Sequence, residues 1–218
     1  MTASTSSHRD RILDQFSRQA MPFSTAPGIL DEKALDLLVA ASGASANDEV
    51  LDVACGPGLV VRAFARVVRH ATGIDVTPAM LARARELTSG QHNVTFQHGD
   101  VVALPFADAA FSVVVTRFAF HHFEEPAVVL SEMRRVCRTG GRIVVCDLVA
   151  SEDPEKAAAF HRVEMLRDPS HVRALPLAEL REFFAAAGLP TPTETYYRLP
   201  FELEGLLARS FPREEDIP

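Results

Sequence analysis

Three carboxylates and a pair of glycines carry the first chemistry legible in this sequence. Asp52 stands inside the run V-L-D-V-A-C-G-P-G at residues 50–58, Asp75 ends the apolar run G-I-D, and Asp100 follows a further run in G-D-V. Gly56 and Gly58 let the backbone turn sharply and let a ligand approach where a Cβ would clash. A carboxylate at the tip of the strand that follows such a turn can accept hydrogen bonds from two ribose hydroxyls, the role expected of Asp75. Asp100 can accept from an adenine exocyclic amine while the next backbone N–H donates to a ring nitrogen. Together these residues form a nucleoside-binding set.

Two nucleoside cofactors use a unit of this kind. Dinucleotide binding asks for G-x-G-x-x-G, the third glycine allowing close helix–strand packing. Here the run is Gly56-Pro57-Gly58-Leu59-Val60-Val61, so the third glycine is missing. Pro57 also removes an N–H from the turn that would face a pyrophosphate. Asp52 has no task in dinucleotide binding, but it suits the cationic amino group of a methionine-like ligand. The pattern therefore favours S-adenosylmethionine (SAM) over NAD. A nicotinamide-dependent oxidoreductase is further disfavoured because Tyr196-Tyr197 lacks the lysine of a Tyr-x-x-x-Lys pair.

Proton chemistry has its own candidates. His121-His122 follows the fourth apolar run, F-S-V-V-V-T, and histidine titrates near neutral pH, so either ring could serve as a general base. His171 and Asp168, in R-D-P-S-H, could instead bind or deprotonate an acceptor; packing and loop-orienting roles account for these residues equally well. Asp147, ending the fifth apolar run, could line the same pocket. His161 and Glu164 are spaced i, i+3 and lie near His171 in sequence, but without a further fixed ligand they do not make a metal site. Phe118, Phe120 and Phe123 suit an apolar or aromatic acceptor, or the core.

These residues need elements to position them. Strands are expected near residues 50–53, up to Asp75, over 94–97, 111–116 and 141–147, and again over 191–198. Helices are expected over 8–19, 31–42 (capped by Asp31 and stopped at Gly43), 59–69, 77–88, 126–137, 154–166, 176–187 and 202–210. Residues 21–28, with Pro22 and Pro27, read as an irregular crossing loop, and 2–7 as disordered. Such alternation forces a parallel, doubly wound α/β sheet with right-handed crossovers, its ligand outside the carboxyl ends of the strands.

The linked motifs V-L-D-V-A-C-G-P-G, G-I-D-V-T-P-A-M-L, G-D-V-V-A-L-P-F, F-S-V-V-V-T-R-F-A-F-H-H-F and M-R-R-V-C-R-T-G-G resemble the class I SAM-dependent methyltransferases, in the branch that includes quinone-biosynthesis and small-molecule enzymes. They occur in that family's order across roughly residues 30–150. The resemblance implies a Rossmann-like fold and in-line methyl transfer to a small-molecule acceptor, at a C, N or O atom. The alternative within the fold is a SAM-binding protein without transfer activity. For the cofactor it implies Asp52, with backbone of Ala54 and Gly56 beside it, at the methionine amino end, and Gly58 in the turn. Thr116 and Arg117 border the same portion, Asp75 takes the ribose, Val76 and Val101 flank the adenine, Asp100 reads its amine, and Met80 packs on the ring. His121, His122 and His171 are the candidate catalytic residues. Residues 1–30 then form an N-terminal helix and cap, 31–150 the SAM-binding core, and 151–218 an acceptor lid with the C-terminal part. The family's last, antiparallel strand has no segment to supply it, and residues 211–218 resemble the beginning of another helix. The expected sheet therefore has six strands, or is completed at its edge by a second copy.

Composition sets outer bounds. A chain of 218 residues with 47% hydrophobic and 23% charged residues can bury one α/β core. A net charge of −7 argues against a sequence-independent nucleic-acid surface. No apolar run has the length of a membrane span, and residues 2–11 lack the apolar core of a signal peptide. Cys55, Cys137 and Cys146 form neither a disulfide framework nor a zinc motif. A cytoplasmic protein with a small-molecule acceptor and no metal is the expectation.

Overall fold

Val50, Leu51, Val113, Val114 and Val115 are at most 1% exposed, a degree of burial that strands reach when both faces of the sheet are covered. The computed structural model, which describes residues 7–199, 202–207 and 209–212, places them in the middle of a five-stranded parallel sheet. Its strands are β1 (Glu49–Val53), β2 (His70–Asp75), β3 (Val94–His98), β4 (Phe111–Arg117) and β5 (Cys137–Cys146), in the order β3-β2-β1-β4-β5. Val50 registers against Ala71 on one side and Val113 on the other. The order reverses between β1 and β4, and such a switch point opens a crevice at the carboxyl ends of the strands.

The helices close both faces. α2 (Glu32–Ser42), α3 (Leu59–Phe64) and α4 (Pro78–Leu87) contribute Leu35, Leu38, Val61, Phe64 and Leu81 to one core, against Val50, Val113 and Val115. α5 (Pro126–Val136) buries Val129, Leu130 and Met133 against Leu51, Val53 and Val114 on the other face, where Phe184 of α7 (Leu177–Ala186) joins them. A short parallel ladder pairs β6 (Val149–Ala150) with β7 (Leu175–Pro176) around α6 (Pro154–Arg167). α1 (His8–Thr25) and α8 (Leu203–Leu207) complete the described elements.

Several expectations change. α1 runs on through Pro22 to Thr25, so residues 21–25 of the expected crossing loop are helical; the Ser24 and Thr25 hydroxyls bond the Met21 carbonyl in this last turn. Ser7, expected in a disordered tail, is the N-cap of α1 in a capping box with Asp10, while residues 2–6 lie outside the described residues. α3 stops at Phe64 rather than 69. β5 starts at Cys137, four residues early, its register shifting between Phe111 and Val113 of β4. Residues 191–198 form no strand. Their hydrogen bonds run through side chains instead, Arg181 to Glu194 and Tyr196 to Glu194. Among the described residues the main sheet thus has five strands, all parallel, and not six. Of the segment expected to begin another helix, residues 213–218 lie outside the described residues, and 211–212 are not helical.

Gly58 shows how tightly the first crossover is built. It is the N-cap of α3 with φ +78°, and a Cβ there would stand 2.8 Å from the Ala84 Cβ and 3.1 Å from the Phe96 Cζ. Gly58→Ala combines a left-handed penalty with overpacking, about 2–4 kcal/mol in sum. Urea unfolding should show that loss in the midpoint; an unchanged midpoint would contradict the packing described.

Candidate active site

The crevice at the switch point is a cavity of about 300 Å³. Each strand that meets it delivers residues by its own end. The β1 end supplies Asp52, Ala54 and Gly56; the β2 end supplies Asp75 and Val76, with Met80 from α4. Asp100 and Val101 follow β3, Arg117 ends β4, and Phe118, Ala119 and His122 follow it. Nine of the eleven expected cofactor residues thus line one space: Asp52, Ala54, Gly56, Asp75, Val76, Met80, Asp100, Val101 and Arg117. Gly58 and Thr116 are not among the lining residues. Gly58 is spent on packing α3 against α4, and strand alternation separates Thr116 from Arg117, which lines the cavity.

The carboxylates behave differently from one another. Asp75 accepts the Gly56 N–H and the Thr77 N–H, each at 2.8 Å, so it holds the glycine turn against the start of α4. A carboxylate has about four acceptor positions, and two remain for a ligand. Burial pushes the Asp75 pKa up, against the pull of those N–H groups. Asp52 is 2% exposed, and its Oδ2 has no hydrogen-bond partner. Burial and the neighbouring Asp75 charge push its pKa well above the ordinary value, with Arg117 opposing. A buried acceptor without a donor costs about 1–3 kcal/mol, and a ligand ammonium would meet the need. Asp100 is already engaged: Oδ2 pairs with Arg9 of α1 at 2.9 Å, and Oδ1 accepts the Val102 N–H at 3.2 Å.

Backbone strain marks the same place. Ala54 and Phe118, the residues immediately after β1 and β4, have φ of 58° and 55°. Left-handed backbone at a non-glycine residue costs of order 1–3 kcal/mol and concentrates at functional sites. Arg117 donates to the Ile29 carbonyl at 3.0 Å, and its guanidinium lies 4.3 Å from the centroid of the Phe118 ring.

Beside the cavity, the three candidate histidines come together with His161. Ring centroids are 4.2 Å apart for His121 and His122, 5.5 Å for His121 and His171, and 5.4 Å for His161 and His171. His122 lines the cavity; His121 and His171 are not among its lining residues. His121 donates from Nδ1 to Asp147 Oδ1 at 2.5 Å, with both side chains 7% exposed. Burial presses His121 down, but the Asp147 charge and hydrogen bond outweigh it, and its pKa ends above the ordinary value. Burial raises Asp147 in turn, yet His121 holds it below the usual carboxylate range. His122 is pushed down to about 4 by burial and by His121, and His171 to about 4 by burial and by His121 and His122.

His122 is fixed more closely than its sequence context suggests. Its Nδ1 lies 3.0 Å from the Ser170 carbonyl, which can only accept, so Nδ1 carries the proton and Nε2 the lone pair. The Ser170 hydroxyl donates to Asp168 Oδ1 at 2.5 Å, and Asp168 Oδ2 accepts from Gln19 of α1 at 3.2 Å. His8 donates to the His122 carbonyl at 2.8 Å, and Phe16 packs edge-on against the His122 ring at 4.9 Å. His8, Arg9, Phe16, Gln19 and Ser170 were not anticipated from the sequence. The one available signal was Gln15 and Gln19, polar residues four apart, both 2% exposed in the structure. Among the described residues no group of three or more His, Cys, Asp or Glu side chains has the arrangement of a metal site.

Comparison with known proteins adds to this geometry. Residues 51–145 match the family model described as a methyltransferase domain. A Bacillus subtilis (strain 168) protein named uncharacterized methyltransferase YcgJ is 31% identical over 196 residues, which are 89% of this chain and 78% of that protein. Its crystal structure superposes with a TM-score of 0.79 over 84% of this chain and 80% of that one. A demethylmenaquinone methyltransferase of Clavibacter sepedonicus is 36% identical over 102 residues, 47% of this chain and 42% of its own length. Phosphoethanolamine N-methyltransferase 1 of Haemonchus contortus, solved with phosphoethanolamine and S-adenosylhomocysteine, shares the fold at 21% identity and a TM-score of 0.55, over 69% of this chain and 34% of that chain.

The depressed histidines make a pH prediction. Unfolded, His122 and His171 would bind protons near pH 6.5, which the folded chain refuses until about pH 4. Their contribution to stability therefore falls as pH drops through this window. His121, raised in the fold, has the opposite sign and loses its contribution as pH rises through its folded pKa. Melting temperatures from pH 7 to 4 should decline less steeply in His171→Gln than in the wild type; parallel curves would contradict the burial of His171.

Proposed function

The chain belongs to the class I SAM-dependent methyltransferase family, and from that premise we propose that it methylates a small organic acceptor bound between the cofactor cavity and the histidine cluster. The observation that carries this reading is Asp52, a buried carboxylate with an unpartnered oxygen in a cavity whose other walls suit a nucleoside. That orphan oxygen and the two free acceptor positions of Asp75 fit the amino and ribose groups of SAM. The turn at Gly56, with φ +50°, brings backbone rather than side chain to the same space. Val76, Val101 and Met80 offer apolar contact for the adenine, and Asp100 lies at its edge.

When bound, SAM supplies a methyl group whose bond to sulfur breaks as the bond to the acceptor forms, leaving S-adenosylhomocysteine with the electron pair. The chain's residues do the rest: they hold the acceptor, exclude water and move one proton. We assign the proton to His122. It is the candidate histidine that lines the cavity, its Nε2 is the basic nitrogen, and its low pKa leaves it unprotonated at neutral pH. It can take the acceptor's proton and return it to solvent. Asp168 and Ser170 act through it as positioning residues, and His121, paired with Asp147, stands beside it. The walls Ile12, Phe16, Phe23, Phe118 and Phe123 favour an acceptor with an apolar skeleton. A nicotinamide-dependent oxidation finds no support in this set.

Calorimetric titration with S-adenosylhomocysteine tests the reading. The wild type should bind in the micromolar range, and Asp75→Ala and Asp52→Asn should each weaken binding at least about tenfold, near 1.4 kcal/mol. Circular dichroism checks that the variants fold. A folded wild type that does not bind, or variants that bind equally well, would overturn the assignment.

A further inference from the structure

His171 is 3% exposed, yet neither of its ring nitrogens has a hydrogen-bond partner. The Nδ1 of His161, on α6, and the Nε2 of Gln15, on α1, are also buried and unpartnered. His171 and His161 therefore bring unmet polar atoms side by side, and α1 adds that of Gln15. The His161 ring lies 5.4 Å from His171. Gln15 precedes by one helical turn the Gln19 that reaches Asp168, and it adjoins the Phe16 that packs on His122. Leaving such groups unpaired costs about 1–3 kcal/mol each, so a fold that keeps them together has a use for them.

The nearby carboxylates do not supply the missing partners. Asp147 is matched by His121, Asp168 by Ser170 and Gln19, and Glu164 by Arg167. What is left unmet is the amide N–H₂ of Gln15, the Nδ1 of His161 and both ring nitrogens of His171, whose neutral ring has one donor and one lone pair. Donors are in excess, and an oxygen atom answers them: it accepts from Gln15 and an imidazole N–H, and while protonated it donates to a ring lone pair. An ammonium has no acceptor capacity and would leave the donors unmet. Phe160, its ring 6.4 Å from His171, adds an aromatic wall.

We propose that His171, His161 and Gln15 form a subsite for an acidic oxygen of the acceptor, so that the acceptor is a phenol, enol or carboxylic acid on an apolar skeleton and not an amine. This rests on the methyl-transfer reading. The oxygen would lie beside His171, whose ring is 5.5 Å from that of His121.

The test uses protein carrying ¹⁵N-labelled histidine, saturated with S-adenosylhomocysteine and titrated with 4-propylphenol, its methyl ether and 4-propylaniline. The phenol should saturably shift the ring nitrogens of His171 and bind at least tenfold more tightly than the ether or the aniline. His171→Leu and Gln15→Leu should lose that preference while binding S-adenosylhomocysteine as the wild type does. Equal binding of the three probes, no phenol binding, or shifts that bypass His171 would overturn the subsite. If S-adenosylhomocysteine itself fails to bind, the methyl-transfer reading falls, and the same titration of the free protein still decides whether an oxygen subsite exists.

Discussion

The Asp75 carboxylate is the constraint on which the rest of the site depends. Its two oxygens receive N–H groups from the loop after β1 and from the start of α4, so one side chain fixes the glycine turn, the second crossover and the spacing between them. The Cys55 N–H to Ile74 carbonyl bond at 2.9 Å seals the same junction from the backbone side. A carboxylate buried among apolar strands is costly. It is tolerated because backbone donors surround it, and the same donors leave its remaining lone pairs facing the cavity. Placing Asp52 nearby raises the electrostatic cost again, and that stored repulsion is what a cationic ligand group would relieve.

On the far side of the cavity the electrostatic solution is different. The histidines are not equivalent: against burial, Asp147 draws His121 above the ordinary value, while burial first and His121 second push His122 and His171 below it. A buried cluster with every ring charged would repel itself, and one with every ring neutral would leave Asp147 uncompensated. The pairing of His121 with Asp147 therefore adds to burial in lowering His122 and His171, without touching either through a hydrogen bond. Environments that push neighbouring titratable groups apart in this way let one residue type serve separate roles.

The nucleoside half of the site was legible because its information is local. Asp52, Gly56, Asp75 and Asp100 each lie within a few residues of a strand end, and strand periodicity alone delivers them to one edge. Gly58 and Thr116 share that locality, but their neighbours line the cavity and they do not. The histidine half depends on contacts distant in sequence. Nothing near His122 announces Ser170, His8 or Gln19, and Pro22 suggested a loop where the last turn of α1 continues. Residues 191–198 alternate like a strand, but alternation states a preference for two faces and not the presence of a partner edge.

α1 touches the site at both ends, and those attachments are unequal. The Arg9–Asp100 pair is exposed on both sides (57% and 38%), and contacts of that kind are worth about 0–1 kcal/mol. The Gln19–Asp168 bond is buried, and Gln15 and Ser24 are the other buried residues of the helix. Mechanically, this is a lever with a firm fulcrum and a light catch. Lifting the His8–Arg9 tip while Gln19 stays seated would break the exposed Arg9–Asp100 pair and the His8 bond to the His122 carbonyl. His122 would then keep its Nδ1 anchor on the Ser170 carbonyl and lose the His8 contact at its own carbonyl.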